Sequence, residues 1–106
     1  FRTFNFGGNT FHLSDQQYSI CIRQEAGMCC NEYSVCSDTD SMSLGTEAAT
    51  AVQGAACSKD YVEIEGSAGT CGGRALLNRY CGAKLGWDGA STLNSPICGK
   101  YTENTV

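Results

Sequence analysis

The residues in this chain best placed to do chemistry are its cysteines. Eight of the 106 residues are Cys, and three of them fall within "GMCCNEYSVC", residues 27 to 36. Consecutive Cα atoms stand about 3.8 Å apart across a trans peptide, short of the roughly 4.4 Å at which unstrained disulfides begin. Cys29 and Cys30 are therefore expected to bond elsewhere, in two different directions. Zinc is the competing use of such a cluster, but the Cys-x-x-Cys knuckle spacing is absent. His12 is the only histidine, which excludes a His-rich metal site and leaves one candidate general base. No serine stands in a Gly-x-Ser-x-Gly context, so no nucleophile is placed to use that base. His12 is read as a strand or surface residue, and the chain as a non-enzyme.

Other familiar site patterns fail for equally local reasons. The glycines of "FGGN" and "TCGGR" precede neither a helix nor a lysine at phosphate-loop spacing and are read as turns. "DTDS" lacks the third ligand and the glycine of an EF-hand loop. Trp87 and the five tyrosines are assigned to packing rather than to a carbohydrate platform. No Asn-x-Ser/Thr sequon occurs, so N-glycosylation is not expected.

The elements that must position the cysteines read as strands. Period-two alternation is the commonest pattern and helical periodicity is almost absent, which predicts an all-β chain. In "YSICIRQE", Tyr18, Ile20 and Ile22 share one face and Cys21, Arg23 and Glu25 the other. "AGM" closes a turn and "CCNEYSVC" returns, so residues 18 to 36 are expected to form one hairpin, with Cys30 opposite Arg23 and Cys29 on the face of Tyr33 and Val35. "SMSLG" is a short strand. The small residues of "TEAATAVQGAA", 46 to 56, are left as a helical turn or a loop. "DYVEIEG", 60 to 66, is the cleanest strand, and "LLNRYCG" and "ICGKY" are expected to supply two more. No repeat or interdomain linker is visible, so residues 1–106 are read as one domain.

A domain of this size buries only about two thirds of the surface its unfolded chain exposes. Eight cysteines are several times ordinary usage and read as a disulfide scaffold, which implies secretion. The net charge is -4, with eleven acidic residues against seven basic ones, and no Lys/Arg cluster is present. Both facts argue against a nucleic-acid partner. No apolar run is long enough to span a membrane.

"CSKDYVEIEG" followed by "NRYCG" resembles the second half of a CUB domain. Cys57, Asp60, Tyr61, Glu63, Ile64, Gly66, Arg79, Tyr80, Cys81 and Gly82 occupy the matching positions. "YSICIRQEAGMCCNEYSVC", with "FNF" upstream, also resembles a cysteine-rich, CUB-like family of secreted arthropod proteins. The resemblance implies a disulfide-stapled jelly-roll β-sandwich that acts as an extracellular module. It binds another protein or, in the alternative, further copies of itself in a fibre or matrix.

It also implies a Cys57–Cys81 bond. Cys71 with Cys98 is then the expected second bridge, and Cys21, Cys29, Cys30 and Cys36 pair among themselves. The hairpin register allows Cys21 with Cys30, which leaves Cys29 with Cys36. Some CUB domains bind calcium, and Asp60 matches one ligand position, with Asp38, Asp40, Glu32 and Asp88 as candidate companions; otherwise no cofactor is implied. A full CUB domain opens with a cysteine, a strand and a glycine-rich turn ahead of the region that "RTFNF" resembles. A sandwich lacking a terminal strand is therefore among the expectations, with open edges at both ends, "YTENTV" included.

Overall fold

The computed structural model describes residues 1–4, 14–28, 30–45, 49–65, 78–88, 90–100 and 103–105. Among them the secondary structure is all strand apart from one short 3₁₀ turn, Gly54–Ala56. The strands are β1 (Ser19–Cys21), β2 (Cys30–Tyr33), β3 (Ala51–Gln53), β4 (Val62–Glu63), β5 (Arg79–Gly82), β6 (Ile97–Lys100) and β7 (Glu103–Thr105). They form two antiparallel sheets, one of five strands in the order β1-β7-β4-β5-β3 and one of two, β2-β6. Every paired strand is short, so the fold depends on what lies between the sheets more than on its ladders.

Tyr33 and Ile97 from the small sheet meet Tyr80 of β5, together with Ile64 and Leu85, in one buried cluster. Ile22, Val35, Met42, Val62 and Trp87 pack around it. Period-two alternation sends the aliphatic positions inward, and the apolar faces of two sheets cover one another, as in a β-sandwich. Gly99 lets the layers close. A Cβ at this position would come within 2.7 Å of Tyr33 Cε2 and 2.8 Å of Ile64 Cγ2, so β6 lies against the core with bare backbone.

The structure revises the hairpin expected over residues 18 to 36. The turn itself is present, with the Met28 N–H donating to the Glu25 carbonyl at 3.1 Å and Gly27 at φ +81°. The strands it joins do not pair. β1 pairs with β7, Cys21 opposite Glu103, and β2 pairs with β6, Cys30 opposite Lys100. The physical reason is burial. Ile22 and Tyr33 reach the shared core from different sheets, which a flat two-stranded hairpin cannot provide.

Two further expectations change. "YTENTV" does not leave an open edge, because β7 sits inside the large sheet between β1 and β4. The stretch 46 to 56, expected to be a helical turn or a loop, holds the 3₁₀ turn Gly54–Ala56 and also contributes β3, where Ala51, Val52 and Gln53 pair with Gly82, Cys81 and Tyr80. Its small side chains allow this, since Ala51 is fully buried and receives the 88–91 turn directly. The Ala90 N–H donates to the Ala51 carbonyl at 2.8 Å, and the Ala51 N–H to the Ser91 carbonyl at 2.9 Å.

Candidate interaction surface

β3 and β5 bring together the best-defined constellation in the chain. Cys57, just beyond the 3₁₀ turn, is joined to Cys81 of β5 with Cα atoms 5.7 Å apart, and both are buried. This is the pair that the sequence resemblance implies. The neighbouring Tyr80 is also fully buried, and burial pushes its phenol up to about 12 by disfavouring the phenolate. On the solvent side the Arg79 guanidinium lies over the Tyr61 ring, 4.4 Å from its centroid, and Glu63 stands opposite Arg79 in the β4–β5 ladder. The "DYVEIEG" and "NRYCG" segments are thus one unit, with a covalent link below and a cation–π contact above.

Between the sheets the core is incompletely filled. A cleft of about 340 Å³ opens there, with Ile22, Val35, Met42, Leu44, Val62 and Leu85 among its walls and Phe1 to Thr3 at its mouth. Phe1 stands edge-on to Tyr33, ring centroids 6.3 Å apart, yet keeps 61% of its surface exposed. Phe4 stacks on Tyr18 at 4.5 Å and is 76% exposed. An exposed Arg2–Asp38 pair at 3.8 Å adds little holding energy in water. Phe1, which lines the cleft, is therefore presented to solvent. Among the described residues β1 is a terminal strand of the five-stranded sheet, and Ile22, which follows it, lines the cleft.

Among the remaining described cysteines, Cys21 and Cys36 depart from expectation, and the expected Cys71–Cys98 bridge involves Cys71, which lies outside the described residues. Cys30 and Cys98 are each disulfide-bonded, while Cys21 and Cys36 are exposed free thiols. The expected Cys21–Cys30 and Cys29–Cys36 bonds are therefore absent. Their basis was the hairpin register, and the two strands concerned belong to different sheets. Cys29, Cys71 and His12 lie outside the described residues. No signal in the sequence distinguishes the two free thiols from the others, because spacing alone does not reveal sheet membership.

Asp60 is exposed at the entrance to β4. Its proposed companions do not gather around it. Among the described residues no group of three or more His, Cys, Asp or Glu side chains stands close enough to hold a metal ion. Asp38 instead faces Arg2.

A family model described as the animal CUB domain matches residues 1–105. No curated protein and no solved structure matches the chain.

Proposed function

Because this chain belongs to the animal CUB domain family, we propose that it is a secreted, non-catalytic module that binds another protein through its sheet edges and the open cleft between its sheets. CUB domains are protein-interaction modules found mostly in extracellular proteins, and in general they do not catalyse reactions. The observation that carries the reading for this chain is the cleft. Apolar walls remain open beside β1, a terminal strand of its sheet among the described residues. An extended segment of a partner gains main-chain hydrogen bonds at such an edge and side-chain burial in the adjoining cleft. Specificity comes from the side chains the cleft accepts rather than from the fold.

The experiment is to express the chain behind a secretion leader, recover it oxidised from the medium, and pass native extracellular fluid over the immobilised protein. Stoichiometric retention of a partner, weakened at least tenfold by Val35→Asp at the cleft wall, supports the reading. A substrate turned over in a His12-dependent way, with no partner retained, overturns it. The alternative of a self-assembling structural subunit is favoured by one specific observation, the pair of exposed thiols.

A further inference from the structure

We propose that residues 1–4 are a strap that gates the cleft, lying closed across its mouth from one sheet to the other and moving aside when an apolar side chain of a partner enters. The inference rests on the reading of the cleft as the binding site and adds the regulation of that site.

The contacts of the strap fall on both layers. At one end Phe1 stands edge-on to Tyr33 of β2, in the two-stranded sheet. At the other, Phe4 stacks on Tyr18, the residue just before β1 of the five-stranded sheet, and the Phe4 N–H donates to the Tyr18 hydroxyl at 3.3 Å. Between these ends Arg2 pairs with Asp38. Phe1, Arg2 and Thr3 all line the cleft, so the segment connects the two layers on the side where the cleft opens.

Its shallow burial makes it a gate rather than a wall. Phe1, Arg2 and Phe4 are exposed and Thr3 is half-buried. Both side chains of the Arg2–Asp38 pair are half or more exposed, so water and salt screen it. The walls behind the strap are built differently, since Ile22, Val35 and Met42 pack directly on the buried core cluster. A segment whose contacts lie at the surface opens locally while the packed walls stay in place.

Opening and binding are then linked. Phe1 holds the position beside the Tyr33 ring at the cleft mouth, and an entering side chain has to displace it. The apparent affinity is the intrinsic affinity reduced by the fraction of molecules whose strap is open. Whatever loosens the strap therefore tightens binding. Phe4 and Asp38 anchor the strap from outside the cleft lining, so replacing them releases the gate without removing any wall.

The test uses the purified oxidised chain and N-phenyl-1-naphthylamine, a neutral apolar fluorescent probe that the net charge of -4 does not repel. Nuclear magnetic resonance locates the probe through the methyl signals of Val35, Met42 and Leu44, and in the probe-free protein it follows the Tyr33 ring protons, which feel the ring current of Phe1. Phe4→Ala and Asp38→Ala should each lower the apparent Kd by roughly threefold or more and speed association. In both variants the free protein should show displaced Tyr33 ring signals while near-ultraviolet circular dichroism stays native. Added salt should tighten binding to the unaltered chain and lose this effect in Asp38→Ala. If the cleft methyl signals respond to the probe but both variants leave the Kd unchanged, or weaken binding because the strap is part of the site, the gate is overturned and the cleft reading stands. A probe that moves none of the cleft methyl signals in any form overturns the binding site and the gate together.

Discussion

Gly82 and Leu44 exchange both backbone hydrogen bonds: the Gly82 N–H donates to the Leu44 carbonyl at 2.6 Å, and the Leu44 N–H to the Gly82 carbonyl at 3.0 Å. This doubly bonded bridge ties the end of β5 to the 41–45 segment at the cleft wall. It forms with Gly82 at φ +88° and the Thr50 carbonyl packed against the site a Cβ would occupy. Gly82→Ala combines a left-handed backbone cost with a clash against main chain that has no room to yield. Destabilisation of at least about 2 kcal/mol is expected, seen as a lower urea midpoint with little change in slope.

Ala90 presents the opposite case. It holds φ +67° without a glycine's freedom, fixed there by its bond to the Ala51 carbonyl. Its methyl is exposed, so removing it forfeits no burial. Ala90→Gly should relieve the left-handed strain and stabilise the domain by up to about 1 kcal/mol, the larger unfolded-state entropy of glycine offsetting part of the gain. A thermal melt reads the difference, and a lower Tm for the variant would contradict it.

Tyr80 makes stability sensitive to alkali. Its folded value of about 12 lies above the ordinary 10.0, so the neutral phenol is the form the fold favours. That contribution is fully present below pH 10 and is lost as pH rises through the folded value. Unfolding free energy should fall by on the order of 2 kcal/mol across this window from this residue alone. Tyr80→Phe should flatten that part of the pH profile, measured by denaturant titration at each pH.

The Cys57–Cys81 link closes a loop of sequence separation 24, for which the chain-entropy account gives about 3–4 kcal/mol. Among the described residues the buried core cluster is Tyr33, Ile64, Tyr80, Leu85 and Ile97, and a loss of that size is a large share of the roughly 5–15 kcal/mol by which a domain is stable. The double variant Cys57→Ala with Cys81→Ala is expected to be unfolded or nearly so at 37 °C, by loss of near-ultraviolet circular dichroism. A native spectrum at that temperature would show that the core suffices alone.

Strand character was legible because it is local, and the Cys57–Cys81 link, 24 residues apart in sequence, was legible through the resemblance to CUB domains. Alternation marks most of the extended segments, but "SMSLG" forms only an isolated bridge at Leu44 and "DYVEIEG" gives β4 only at Val62–Glu63; the segments around Asp60 and Cys81 carry several specific residue types in fixed order. Sheet membership is not local. "YSICIRQE" and "CCNEYSVC" alternate as well as any hairpin, and the turn between them forms, yet their ladders go to β7 and β6. Nothing in the spacing of Cys21 and Cys30 records that choice, which is made by the collective burial of Ile22, Tyr33 and Ile97. β3 was missed for a related reason. Alanine and glycine carry little strand preference, and within "TEAATAVQGAA" the strand Ala51–Gln53 forms where Ala51 is small enough to lie beneath the 88–91 turn.

The position of β7 also sets a timetable. Among the described residues β1 and β4 are joined through β7, which lies near the opposite end of the described chain from β1. During synthesis at roughly 5–20 residues per second, β1 emerges early and waits several seconds or more before the strand that anchors it exists. Long-range pairing of this kind is slow even in a complete chain. Throughout that wait Cys21 is carried on a strand without its ladder, within reach of whatever thiol chemistry the compartment offers. On the secreted reading proposed above, an oxidase acting on the nascent chain meets Cys21, Cys29, Cys30 and Cys36 before Cys57 or Cys81 has been made.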